Sequence, residues 1–446
     1  MADVRPMPGI RYAESSNLAA LVTPPYDVIS PEAQTRYYER SPENIIRLEL
    51  GRDEPGDDEL NNRYTRAAAI FADWRLHGVF TQDAPSLYLY EQRFTAQGKE
   101  YHRLGLLARV RLEPWSAGVI LPHERTLSKP KDDRLKLLRA CAANLSPIMA
   151  LYDDPSSELQ GILAETMQEQ PLADFVDEAG EGHRLWQIAD SALAARITDF
   201  FRDRQLYIAD GHHRYETCLT YRDEQTAARK GVAEDDAVNF TLMSLSAIED
   251  PGLVVLPTHR ILRDLNPVRL AALDETLASY FTVEPLATDL DADALLARLR
   301  AAGADGTTAA VLARPADTLL LTLNAEGRAA MATLEGEQAQ ASAAWRALDL
   351  AVLHELVLRR GLGITPEMVQ AGEHVSYTRD AATAIADARA EQANTVAEGG
   401  TTLALLVNPT PPVAIRDVAR AGDRMPQKST YFYPKLITGL VINPVW

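Results

Sequence analysis

The stretch Gln205-Leu206-Tyr207-Ile208-Ala209-Asp210-Gly211-His212-His213-Arg214-Tyr215 changes character at its centre. Gln205 to Ala209 reads as a short buried strand, Gly211 turns the backbone, and a helix is expected from about His212 to Lys230. A helix start presents N–H groups without intrahelical partners and a partial positive charge. Arg214 adds a guanidinium whose shape matches phosphate, so strand, turn and helix together suggest an anion site. Asp210, at the strand end, is placed to hold a metal ion or to orient a histidine. His212 and His213 point about 100° apart on a helix and cannot face one ligand equally. An aspartate N-cap with two surface histidines is the plainer alternative, but Asp, His, His and Arg in a row exceed what a cap requires.

The preceding chain reads as a helix Ala192 to Asp203, a hairpin near 173–189, a helix near 157–168 and a buried strand Pro147 to Tyr152. Before these come a helix Lys131 to Asn144 and a loop Leu121-Pro122-His123-Glu124. Two antiparallel strands, Ser86 to Phe94 and Tyr101 to Leu112, flank a turn at Gln97-Gly98. In the second, Leu104, Leu106, Ala108, Val110 and Leu112 share one face. Leu60, Tyr64, Ala67, Phe71 and Trp74 recur at helical spacing, with Gly78 as the stop, and Ser30-Pro31 opens a short helix as N-cap and first helical residue. After 266 the order helix, strand, helix, strand, strand gives a small α+β insertion. The final segment contributes helices at 347–360 and 379–389, a strand Thr402 to Val407 and a proline-rich loop at 409–412. The expected class is α+β (mixed α/β): an N-terminal α+β region 1–116, a catalytic core 117–265, an α+β insertion 266–338 and a C-terminal α/β segment 339–446 that packs back on the core.

The composition fits a folded chain, with 46% hydrophobic and 24% charged residues and a formal net charge of −18. That charge argues against nucleic acid or an acidic membrane as partner, but permits one phosphorylated ligand in a locally basic pocket. Two cysteines, Cys141 and Cys218, exclude a disulfide framework. The segment Met1 to Pro6 has no apolar signal core, and no apolar run approaches the roughly 18 residues of a membrane span. A cytoplasmic location is expected.

Three further stretches carry candidate chemistry. Pro122-His123-Glu124 offers a histidine and a carboxylate in a loop. Pro257-Thr258-His259-Arg260 follows an apolar strand, with a strand-end salt bridge as the structural alternative. Met425 to Lys435 sets Lys428, Ser429, Thr430 and Lys435 among aromatics and prolines, with a docked edge strand as its alternative. No Gly-x-x-x-x-Gly-Lys-Ser/Thr loop, dinucleotide Gly-x-Gly-x-x-Gly or Gly-x-Ser-x-Gly elbow occurs, which disfavours phosphate-loop kinase and hydrolase mechanisms.

These motifs, with Pro24-Pro25-Tyr26-Asp27-Val28-Ile29, resemble domain-of-unknown-function family 1015 over the whole chain. Within about residues 118–225, the succession Pro-His-Glu, helix, Pro-Ile strand and Asp-Gly-His-His-Arg is similar to the ParB/sulfiredoxin superfamily, and most of all to its free serine kinases. The resemblance implies a ParB/sulfiredoxin-like core with Glu124 as the base that activates a serine hydroxyl. It also implies that Asp210, Gly211, His212, His213 and Arg214 hold nucleotide phosphates. The sequence departs from that pattern in separating Ile148–Tyr152 from the strand before Asp210 by more than fifty residues, as an insertion would.

The expected function is nucleotide-dependent phosphotransfer, with ATP or ADP, on a small hydroxylated metabolite such as free serine, or on phosphoserine in the reverse direction. Glu124, His123, Asp210 and His213 are the expected catalytic residues. Gly211, His212, Arg214, His259, Arg260, Lys428 and Lys435 are expected at the phosphates, Lys428 most directly, with Asp210 as a Mg²⁺ ligand. One rival is a metal-dependent phosphatase or hydrolase built on His123, Glu124, His212, His213 and His259. The other is a nucleotide-binding switch without catalysis.

Overall fold

The computed structural model describes residues 1–15, 17–124, 128–390 and 400–446. They form two compact units. One takes in Met1–Pro122, the chain from the helix Ser128–Cys141 to Val254, and Phe432–Trp446; the other takes in His123, Glu124 and Val255–Tyr431.

The first unit is built on a nine-stranded sheet. Its order is Ile120–Leu121, Leu206–Asp210, Ile148–Tyr152, Phe240–Ala247, Lys99–Arg111, Leu87–Ala96, Gly182–Ile188 and Ala173–Val176, with Val4–Arg5 pairing beside Lys99–Arg111. Strands from both sides of residue 117 share this sheet. The hairpin at its centre forms as the alternation predicts, with Gln97 and Gly98 at φ 50° and 74° in the turn. Leu106, Ala108, Val110 and Leu112 line one face, packed against the helices Glu158–Thr166, Ser191–Phe201 and His212–Ala228 through Leu163, Ile197, Phe201, Tyr215 and Cys218. The opposite face is polar in one row. Arg103 pairs with Gln92 and Gln92 with His183, so all three side chains share a side across adjacent strands.

The second unit holds a six-stranded antiparallel sheet, in the order Phe281–Leu286, Thr318–Leu323, Ala309–Ala313, Thr401–Val407, His259–Leu265 and Val375–Thr378. The helices Ala292–Ala302 and Ala381–Ala390 cover one face with Leu295, Leu299, Ala384 and Ile385.

Several expectations need correction. Leu60 is 87% exposed and precedes its helix, Arg63–Leu76, which Asn62 caps by accepting from the amides of Tyr64 and Thr65. The side chain at 60 therefore repeats the helical spacing by coincidence. Phe240–Ala247 is a central strand that the reading missed, since seven of its eight residues are buried and show no alternation. The helix Pro412–Arg420 starts within the stretch read as a proline-rich loop, because a proline at the first helical position opens a helix as readily as it ends one. The helix expected at 347–360 is a short α-helix, Asp349–Val352, continued as a π-helix, Leu353–Gly361. His259 and Arg260 do follow a short strand, Val254–Val255, and themselves open the next, His259–Leu265.

Among the described residues no helix is long and apolar enough to cross a membrane.

Candidate functional site

Leu206, Tyr207 and Ile208 are fully buried in the first unit's sheet. Pairing with Ile148–Tyr152 then slips: Ile208 faces Ala150, but Asp210 faces Met149. This bulge re-aims the strand end, as bulges beside active sites commonly do. Gly211 follows at φ 93° as the N-cap of the 17-residue helix His212–Ala228, and no side chain caps that helix. The Asp210 carboxylate is not a cap. Arg214 Nη2 donates to its Oδ2 at 2.7 Å, and Lys435 Nζ donates to its Oδ1 at 2.5 Å. Asp210 and Lys435 side chains are only 20% and 11% exposed. Burial alone would push the Asp210 carboxyl up, but Lys435 and Arg214 outweigh it and hold the group well below the usual carboxylate range.

Arg214 also donates to Pro147 O at 2.6 Å and to Ser146 Oγ at 3.3 Å, so much of its guanidinium braces the turn from within. A cavity of about 50 Å³ lies behind it, lined by Glu49, Arg134, Ser146, Thr217 and Cys218 among others. That space suits a water molecule or two and not a nucleotide, which takes several hundred Å³. His212 is buried and His213 half-buried.

Gly211 is required twice over. Its φ is one that L side chains avoid, and a Cβ there would meet Arg214 Nε and Nη2 at 3.0 Å. Gly211→Ala is expected to cost about 1–3 kcal/mol in a denaturant titration; an unchanged midpoint would show that the turn relaxes without Arg214.

The lysine that reaches Asp210 is Lys435. Its delivery depends on two residues that the sequence reading passed over. Arg103, 2% exposed, donates from Nη2 to Pro434 O at 2.6 Å and to Gln92 Oε1, and from Nη1 to Tyr433 O at 3.3 Å. Gln92 Nε2 donates to Lys435 O at 3.1 Å. Arg103 and Gln92 thus fasten the C-terminal segment by its carbonyls. The sequence signal was weak, because Arg103 shares its side of the strand with Lys99, Arg109 and Arg111 and does not stand out among them.

The remaining candidates belong to the second unit. His123 is fully buried, with Nε2 3.0 Å from Thr430 Oγ1, and its carbonyl accepts from Met425 N at 2.8 Å. Glu124 follows at a bend and is half-buried. His259 Nδ1 accepts from Val407 N at 3.2 Å, and burial, helped by Arg260, lowers its pKa to about 4. Arg260 is fully buried, and burial lowers its pKa to about 10. It donates to Thr258 O, to Gln427 O at 3.3 Å and to Lys428 O at 3.2 Å. As neighbours on a strand, His259 and Arg260 point to opposite faces. Lys428 is exposed, at φ 56°.

The metal centre of the hydrolase rival gains no support within either unit, since His212 and His213 lie in the first and His123, Glu124 and His259 in the second. Among the described residues, the one group of three ligand-type side chains with ligand atoms within 4.8 Å of one another is Asp177, Glu181 and His183, which shares no member with it. Mg²⁺ fits Asp210 poorly too, because each carboxylate oxygen already faces a cation.

Among solved structures, the chain is similar to a conserved hypothetical protein from Pyrococcus furiosus, at TM-score 0.34 and 11% identity, over 77% of this chain and 97% of that one. It is also similar to a free serine kinase variant in complex with ADP, at TM-score 0.33 and 10% identity, covering 74% and 87%. A C-terminally truncated SbnI from Staphylococcus aureus gives TM-score 0.33 and 10% identity, covering 76% and 87%. No curated protein matches significantly. The model of the family described as a protein of unknown function, DUF1015, matches residues 4–351, and the chain belongs to that family.

Proposed function

We propose that the protein is a nucleotide-dependent phosphotransferase acting on a small hydroxylated metabolite, with free serine or phosphoserine as the substrate class and ATP or ADP as the nucleotide. The observation that carries this reading is the meeting of Lys435 and Arg214 at Asp210, beside a helix start that no side chain caps. Two cations against one carboxylate, together with the helix dipole, leave a positive excess in a chain of net charge −18. Phosphoryl transfer asks mainly for such positioning and charge neutralisation. On this reading Lys435 and the Gly211 turn, with His212 and His213 in the first helical turn, meet the phosphates. Arg214 contributes its charge and holds Asp210 and the turn in place. Asp210 acts as the counter-ion that keeps Lys435 oriented.

Glu124 is proposed as the base that takes the hydroxyl proton, on the strength of the Pro-His-Glu resemblance. His123 is proposed to fix the bend before it through Thr430. His259, Arg260 and Lys428 are assigned a supporting role, Arg260 by bracing the main chain at 427–428.

Calorimetric titration with ATP, ADP and inorganic phosphate tests the site. Lys435→Ala is expected to lose about 1.5–3 kcal/mol of binding, as for a charge-assisted contact. Equal affinity in the variant and the parent would remove Lys435 from the ligand's surroundings.

A further inference from the structure

The hairpin Ala173–Val176 and Gly182–Ile188 closes through Asp177, Glu178, Ala179, Gly180 and Glu181. Asp177 Oδ1 is committed to the loop, accepting from the amides of Ala179 and Glu181 at 2.9 Å each. Its Oδ2 is turned the other way, 3.3 Å from His183 Nε2. Glu181, also buried, adds a second carboxylate, and one ligand atom from each of the three lies within 4.8 Å of the others.

His183 is the independent sign that this is more than an acidic loop. Its side chain is fully buried on the polar face of the sheet, and Nε2 lacks a well-formed hydrogen bond among the described residues, with the Asp177 oxygen 3.3 Å away. The other ring nitrogen is engaged: Nδ1 lies 2.7 Å from Tyr90 Oη. The ring is held between Tyr90, stacked at a centroid distance of 6.0 Å, and Phe175 at 5.0 Å. An imidazole engaged at Nδ1, with Nε2 3.3 Å from one carboxylate and a second carboxylate in the same cluster, resembles the arrangement that protein metal ligands adopt. The 3.3 Å gap is about the edge expected between two ligands each roughly 2.0–2.1 Å from a tetrahedral ion.

We propose that Asp177, Glu181 and His183 bind one divalent first-row transition-metal ion, of the zinc class, through Asp177 Oδ2, a Glu181 carboxylate oxygen and His183 Nε2. Three protein ligands leave one coordination position for water or a ligand oxygen. An imidazole donor selects against Mg²⁺, which takes oxygen ligands and keeps its waters. The exposed turn Glu178-Ala179-Gly180 gives the ion a way in from solvent. The site shares no residue with the Asp210 constellation, and although Glu181 also accepts a hydrogen bond from Tyr433, two residues before Lys435, metal binding and phosphate binding are read separately.

The test uses the full chain, stripped with chelator. Equilibrium dialysis against Zn²⁺ with metal analysis should return one ion per chain, and Co²⁺ should give the visible absorption of a low-coordinate site. Mg²⁺ should not compete. Glu181→Gln keeps the shape of the side chain and should weaken Zn²⁺ binding at least about tenfold. His183→Asn should abolish the Co²⁺ band. If that variant does not fold, Glu181→Gln decides alone. A parent chain that retains no Zn²⁺, or Glu181→Gln binding as tightly as the parent, overturns the assignment.

Discussion

Asp210→Ala is expected to destabilise the first unit by about 3–5 kcal/mol, because it leaves Lys435 and Arg214 facing each other with no anion between them. Both partners of the Lys435 pair are largely out of water, so solvent screening offers little relief. A phosphate-bearing ligand should restore part of the loss by standing where the carboxylate stood. At about 100 times its dissociation constant it would return about 2.7 kcal/mol. Denaturant titrations with and without inorganic phosphate measure both effects, and a variant as stable as its parent would mean that the two cations separate freely. Asp210→Asn adds a check by pH. The parent's carboxyl is held below its usual range, so its contribution is complete above the unfolded carboxylate pKa. It is lost as pH falls through the lower folded value. The asparagine variant should lack that portion of the acid limb.

Glu124→Gln carries the second large effect. The substitution keeps size and hydrogen bonding but removes the proton acceptor. Phosphate transfer should therefore fall by about 10²–10⁴-fold while nucleotide affinity changes little. Single-turnover assays beside calorimetry separate the two. Normal turnover would remove Glu124 from the mechanism. A nucleotide-binding switch would instead bind nucleotide and show no transfer in the parent protein either.

Much of the local structure was legible because short-range chemistry governs it. Ser30 caps Pro31–Arg40 by accepting from Ala33 N, as its place before a proline foretells, and the strands Ala309–Ala313 and Thr318–Leu323 begin and end where their apolar runs do. The strand, turn and helix at Asp210-Gly211-His212 were legible for the same reason. What escaped was set by the partner and not by the segment. Phe240–Ala247 is buried on both faces, so its sequence shows no period. Lys435 and Lys428 were indistinguishable as sequence, since the choice between them depends on Arg103 and Gln92, more than three hundred residues earlier, gripping the carbonyls of Tyr433, Pro434 and Lys435. The Asp177, Glu181 and His183 group escaped because its spacing fits no familiar motif, and only the hairpin register brings Glu181 and His183 back to Asp177.

Phosphorus NMR of the purified chain with ATP and serine, and in parallel with ADP and phosphoserine, tests phosphotransfer most directly. A phosphomonoester resonance should grow in the first mixture, or be consumed in the second, as the nucleotide signals interconvert. Nucleotide signals that stay unchanged in both mixtures, with no transfer to any of a panel of small hydroxylated metabolites, would contradict phosphotransfer.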